Sequence, residues 1–138
     1  MADDDGPKFM FLDQLDWVDE RNESNAPIEM IEASERAGVR RKIVTRGEGG
    51  FYSHMSEIPA GYEVSRHSHD HDELIIVIDG SCTFLDGGPT LKAFDTAVLR
   101  AGHEYGFTAG PQGLRFFNIR PGKAKLAMSP AASQGSAS

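Results

Sequence analysis

Between residues 39 and 119 the chain is cut into short runs rich in β-branched and aromatic residues, each bounded by glycine or proline. The runs are VRRKIVT (39–45), FYSHMSEI (51–58), ELIIVID (73–79), SCTFL (81–85), DTAVL (95–99), EYGFT (104–108) and LRFFNI (114–119). The joints between them are RGEGG, PAG, DG, DGGP, RAG and AGPQG. Runs this short suit strands, and the joints carry turn chemistry. Evenly spaced short strands without a strong helix between them predict an all-β sandwich or barrel.

The chain has 138 residues, one domain by length and enough to bury a core without crosslinks. Its formal charge of -7 lacks the basic footprint that nucleic acid or an anionic membrane requires, so neither is expected as a partner. No stretch reaches the ~20 apolar residues of a membrane-spanning helix. The N-terminal MADDDGPK is acidic where a secretory signal is basic. Cys82 is the sole cysteine, which rules out an intrachain disulfide and suits a reducing compartment. A cytoplasmic location is the resulting expectation.

Composition divides the chain into an N-terminal extension (1–38), a β core (39–120) and a tail (121–138). The tail is rich in Ser, Ala and Gly and is expected to be disordered. In the extension, Phe11 to Glu20 suggests a short helix or turn, and Ile28 to Arg41 is either a helix or a strand and turn. Barrels of this size often pair through an edge strand or an N-terminal segment, which residues 9 to 45 could supply, so a homodimer is expected.

The stretch HSHDHDE (67–73) places three histidines and three acids in seven positions. On a strand, residues two apart share a face and lie about 6–7 Å apart. His67 and His69 can therefore aim both imidazoles at one point. A turn through Asp70, His71 and Asp72 would lay a second strand alongside, with Glu73 facing the same centre. Two imidazoles and one carboxylate leave coordination positions open on Fe(II), Mn(II), Ni(II) or Zn(II).

Gly61, five residues, His67, one residue, His69, three residues, Glu73, six residues and Gly80 together resemble the first signature of the cupin superfamily. The resemblance implies a small antiparallel jelly-roll barrel with one divalent transition metal inside, Fe(II) favoured. It makes His67, His69 and Glu73 the ligands and leaves His71 in the loop. The second signature is degenerate in FDTAVLRAGHEYGF. Asp95 and Gly102 keep their places, but Phe94 and Arg100 replace a glycine and a proline. Tyr105 stands where the fourth histidine belongs, with His103 two residues earlier.

Three arrangements follow: three protein ligands with Tyr105 as a nearby phenol, Tyr105 as the fourth ligand, or His103 shifted into the gap. Tyr105 and His103 are the candidate catalytic residues, because either can move a proton beside a metal-bound substrate. Arg100 could steady an anionic substrate if it does not face solvent. His54 alternates with Tyr52 and Ser56, on a face that lines the barrel or points outward. The expected function is a metal-dependent enzyme on a small oxygen-bearing organic substrate, with dioxygenase placed first. The alternatives are a metal-dependent lyase, isomerase or cyclase, and a non-catalytic small-molecule-binding barrel.

Overall fold

The computed structural model describes residues 6–122 and 126–128. It contains helices α1 (Glu20–Glu23) and α2 (Ile28–Ala37) and eight strands. The strands are β1 (Arg40–Arg46), β2 (Tyr52–Ile58), β3 (Glu63–His69), β4 (Glu73–Phe84), β5 (Thr90–Lys92), β6 (Thr96–Leu99), β7 (Tyr105–Arg120) and β8 (Leu126–Met128). All pairings among them are antiparallel.

Two long strands organise the fold. The N-terminal part of β4 (74–80) pairs with the C-terminal part of β7 (114–119), and Cys82–Phe84 pair with Phe107–Ala109. β2 pairs with the C-terminal part of β7, β3 with its N-terminal part, and β1, β5, β6 and β8 complete the edges. The result is two five-stranded faces, β1-β2-β7-β4-β6 and β8-β3-β7-β4-β5, sharing β4 and β7. This is the all-β jelly roll expected from the sequence.

The sequence places turns at Asp79-Gly80 and at AGPQG, but the structure runs β4 and β7 straight through both. The glycines there make bends. The β4–β7 register shifts between Val77 and Asp79 and again between Gly80 and Cys82. Gly80 sits at φ 75°, and a Cβ on it would lie 2.0 Å from the Gly113 carbonyl oxygen. Only glycine permits that crossing of backbones.

Alternation fills the interior with Ile58, Val64, Ile75, Val77, Cys82, Phe107, Ala109, Leu114 and Phe116. Phe107 and Phe116 meet edge to face with centroids 5.8 Å apart. Burial of the Cys82 thiol pushes its pKa up to about 11, so it is an inert part of this core.

The ambiguous Ile28 to Arg41 stretch is a helix that ends at Gly38 in the left-handed conformation, where Gly38 and Val39 donate to the Ser34 carbonyl. Ile31 and Ser34, one turn apart, form its buried stripe. A small cleft between α2 and the sheet is lined by Ile31, Ser34, Val39, Arg41 and Ser56. Residues 11 to 20 hold a short 3-10 turn at Leu12–Gln14. The cluster Arg40-Arg41-Lys42 fastens this extension: Arg40 and Lys42 lie over Trp17, Arg41 pairs with Glu20 at 2.7 Å, and Lys42 donates to the Leu12 carbonyl.

The stretch expected to be a disordered tail contributes β8, paired with His67–His69 of β3, which gives that edge of the sheet its partner. Residues 123–125 and 129–138 of the tail, and residues 1–5 of the acidic lead, lie outside the described residues. No helix among the described residues is long and apolar enough to cross a membrane.

Candidate functional site

The polar end of the interior gathers side chains from both faces of the jelly roll. His67 and His69, two apart on β3, are both buried with ring centroids 5.0 Å apart. Tyr105 is the register partner of His67, which brings their rings to 4.5 Å. Residues 70–72 then turn the chain into β4. The strand that follows does not lie alongside β3 as expected: β3 pairs with β7 and β8, and β4 with β5, β6 and β7. The turn instead crosses to the opposite face, which carries Glu73 over the histidines. Glu73 Oε2 lies 3.2 Å from His69 Nε2.

Glu73 is the hub. Its Oε1 accepts from the Tyr105 hydroxyl at 3.0 Å and from Asn118 Nδ2 at 3.0 Å. Its Oε2 accepts from Arg120 Nη1 at 3.4 Å. Arg120 Nη2 in turn donates to His54 Nδ1 at 3.2 Å. Asn118 and His54 are register partners on β7 and β2, and both are buried. Asn118 and Arg120 were missed by sequence reasoning. Their signal was the alternation in LRFFNIR, where positions 114, 116, 118 and 120 share one face and the last two turn polar.

Protons are short in this cluster. The Ser65 carbonyl, 2.7 Å from His67 Nδ1, can only accept, so Nδ1 carries the proton. Burial holds the His67 pKa below the ordinary histidine value, so the ring is neutral near pH 7 and Nε2 presents a lone pair inward. That lone pair faces the Tyr105 oxygen at 3.1 Å. Two acceptors, His67 Nε2 and Glu73 Oε1, thus compete for one phenol proton. Burial, reinforced by the Glu73 carboxylate, pushes the phenol pKa well above its ordinary value, so Tyr105 keeps that proton. Burial lowers the pKa of Arg120, opposed by the Glu73 charge. Burial together with Arg41 and Arg120 holds His54 well below the ordinary histidine value, in the neutral state.

No group of three or more His, Cys, Asp and Glu side chains among the described residues is laid out as a ready cation cage. Tyr105 stands between His67 and Glu73, and Arg120 supplies positive charge to the carboxylate. The chemistry of the donors nevertheless fits a divalent cation. His67 is fixed by its bond to Ser65 in the tautomer that offers Nε2, and a cation would resolve the shortage of protons between His67 and Glu73.

The other sequence candidates fall elsewhere. His103 is exposed in the turn before β7, where its N–H donates to the Arg100 carbonyl; β7 begins at Tyr105, so no register shift brings His103 inward. His71 pairs with Asp70 at 2.8 Å outside the cluster. Arg100 is exposed and pairs with Asp72 at 3.3 Å.

Comparison with known proteins places this geometry in context. Residues 54–138 match the family model of the AraC-like ligand binding domain. No curated protein sequence matches the chain. The solved structures similar to it include KdgF from a Halomonas species, at 21% identity over 86% of this chain and 96% of that one, with a TM-score of 0.63. An RmlC-like cupin from Shewanella frigidimarina shares 19% identity over 83% and 90% of the two chains, TM-score 0.61. The polyketide cyclase RemF from Streptomyces resistomycificus shares 17% over 69% and 73%, TM-score 0.59. At these identities the likeness concerns the fold.

Proposed function

For this chain, which belongs to the AraC-like ligand binding domain family and so to the cupin superfamily, we propose metal-assisted proton transfer on a small oxygen-bearing organic substrate. The reaction class is that of an isomerase, cyclase or lyase. One observation carries the reading: a half-buried Tyr105 hydroxyl stands within hydrogen-bond distance of both His67 Nε2 and Glu73 Oε1, so one phenol proton faces two acceptors. A divalent cation held by His67, His69 and Glu73 would supply Lewis-acid polarisation of a substrate oxygen.

The chain's own residues do the rest. The Ser65 carbonyl sets the His67 tautomer, and Asn118 fixes the rotamer of Glu73 through Oε1. Tyr105 gives its proton to the substrate atom that gains negative charge and takes one back as the product leaves. Tyr105 packs against the buried apolar cluster that includes Val77, Phe107 and Phe116, which keeps bulk water from the proton path on that side.

The test is metal analysis of untagged protein, followed by incubation with small keto and hydroxy acids in deuterated buffer under an oxygen electrode. The expected result is about one divalent metal per chain, lost in His67→Ala, with deuterium entering a carbon next to a carbonyl and no oxygen consumed. Oxygen uptake would return the dioxygenase to first place. Saturable ligand binding without exchange or turnover would support the second reading, a ligand-binding barrel, which the description of the matching family favours.

A further inference from the structure

We infer that the interior beside Glu73 contains a carboxylate-binding subsite built by Arg120, His54 and Ser56, which makes the substrate a small organic acid. This rests on the proposed reading of the barrel interior as the substrate chamber. Three buried donor atoms there have no hydrogen-bond partner, His54 Nε2, Ser56 Oγ and Arg120 Nε, and the acceptor Asn118 Oδ1 on the register partner of His54 has none either. His54 is 2% exposed and Ser56 1%. Buried polar atoms without partners are few in folded proteins, and each calls for a reason.

All three can donate. A guanidinium only donates, so His54 Nδ1 accepts from Arg120 Nη2 and the neutral ring carries its proton on Nε2. The Arg120 Nε–H and the Ser56 hydroxyl complete the set. Donors gathered around a guanidinium recognise an oxyanion, and a divalent cation finds no lone pair on two of them. His54 and Ser56 alternate on the inner face of β2, about 6–7 Å apart by strand geometry. One carboxylate spans that distance when each oxygen accepts from one side.

The charges agree with an acid. Arg41 stands opposite Ser56 in the β1–β2 register, and its charge bears on both His54 and Arg120. Glu20 already holds Arg41 with two bonds, at 2.7 and 2.9 Å, so Arg41 adds field while Arg120 makes the contact. The Arg120 bond to Glu73 is long, at 3.4 Å, and uses only Nη1. The Arg120 Nε–H takes no part in that bond, so the subsite donor is open without a metal on Glu73.

The probes are pyruvate and its neutral isostere pyruvamide, titrated calorimetrically into the metal-stripped full chain. Wild type should bind pyruvate at least tenfold more tightly than pyruvamide. Arg120→Gln should erase that preference, and His54→Gln should weaken pyruvate binding about fivefold, with circular dichroism confirming that each variant is folded. If Arg120→Gln does not fold, His54→Gln and Ser56→Ala decide. Equal binding of the two probes, binding of neither, or unchanged pyruvate affinity in His54→Gln overturns the subsite and leaves those donors to water. Because the titration uses no metal, it separates from the proposed reaction. Pyruvate preference in a chain that takes up no metal keeps the subsite and removes the metal-assisted catalyst. Metal uptake and deuterium exchange without pyruvate preference do the reverse.

Discussion

Gly80→Ala tests the corner that sends β4 from one face of the jelly roll to the other. The substitution meets two separate penalties. At φ 75° an L residue is strained by about 1–2 kcal/mol. The new Cβ would also sit 2.0 Å from the Gly113 oxygen and 2.8 Å from its carbonyl carbon. Those are backbone atoms, which cannot swing aside as a side chain would, so displacement adds about 1–3 kcal/mol by analogy with overpacked cores. Gly61 is the internal control. It has the same φ of 75°, but nothing lies within 4 Å of its Cβ position. Gly61→Ala should therefore lose only about 1–2 kcal/mol and Gly80→Ala about 2–5 kcal/mol. Urea melts of both variants at one pH, followed by far-UV circular dichroism, read the difference directly as a shift in midpoint at constant slope. The same displacement would move Glu73, seven residues up the strand, so metal content should fall in Gly80→Ala and not in Gly61→Ala. Equal midpoints for the two variants would refute the crossing of backbones as the reason for glycine at 80.

Two further outcomes bear on the site. Tyr105→Phe should lower kcat about 10²–10⁴-fold while metal content and KM stay within a few-fold, since a phenol proton is removed without a ligand; an unchanged kcat in single-turnover assays would exclude Tyr105 as the proton donor. Acid should weaken the fold earlier than its carboxylates predict. His54 and His67 are held below the ordinary histidine value, chiefly by burial, whereas the unfolded chain titrates near 6.5. Their contribution is full above that pH and declines as pH falls through it, because the unfolded chain then binds protons that the folded one refuses. The decline is at most about 1.4 kcal/mol per pH unit for each histidine, and it levels off below the folded values. Glu57, which burial pushes up but Arg115 and Arg40 together hold below the ordinary value, loses its contribution only as pH falls from the ordinary carboxylate value downward. Melts between pH 7.5 and 5 should show the early loss, reduced in His54→Gln; a flat profile over that span would contradict the neutral assignments.

The jelly roll and the hub of the site were legible because their signals are local and periodic. His67, His69 and Glu73 announce themselves by spacing alone, and strand alternation put His54 on one of two faces. The failures have physical causes. Asp79-Gly80 and AGPQG carry the chemistry of a hairpin turn, but a left-handed glycine serves equally at a bend inside a paired strand, and only the partner strand decides between them. Asn118 and Arg120 reach Glu73 from 45 and 47 positions away. No local pattern links them to it, because the contact exists only once the C-terminal part of β7 has paired with β4. His103 looked as good a candidate as Tyr105 until the start of β7 left it in the turn.

The cleft beneath α2 has a consequence for how such a chain changes its ligand. The region matching the family begins at His54, whereas the panel behind Ser56 is made by α2, Arg41 and the Glu20 that grips it, all upstream of that point. One wall of that cleft is thus an attached part, joined to the barrel by ion pairs and a short apolar stripe. Replacing residues 20 to 41 would reshape that cleft while His67, His69 and Glu73 keep their places, so the proposed carboxylate subsite and the proposed proton chemistry could change independently.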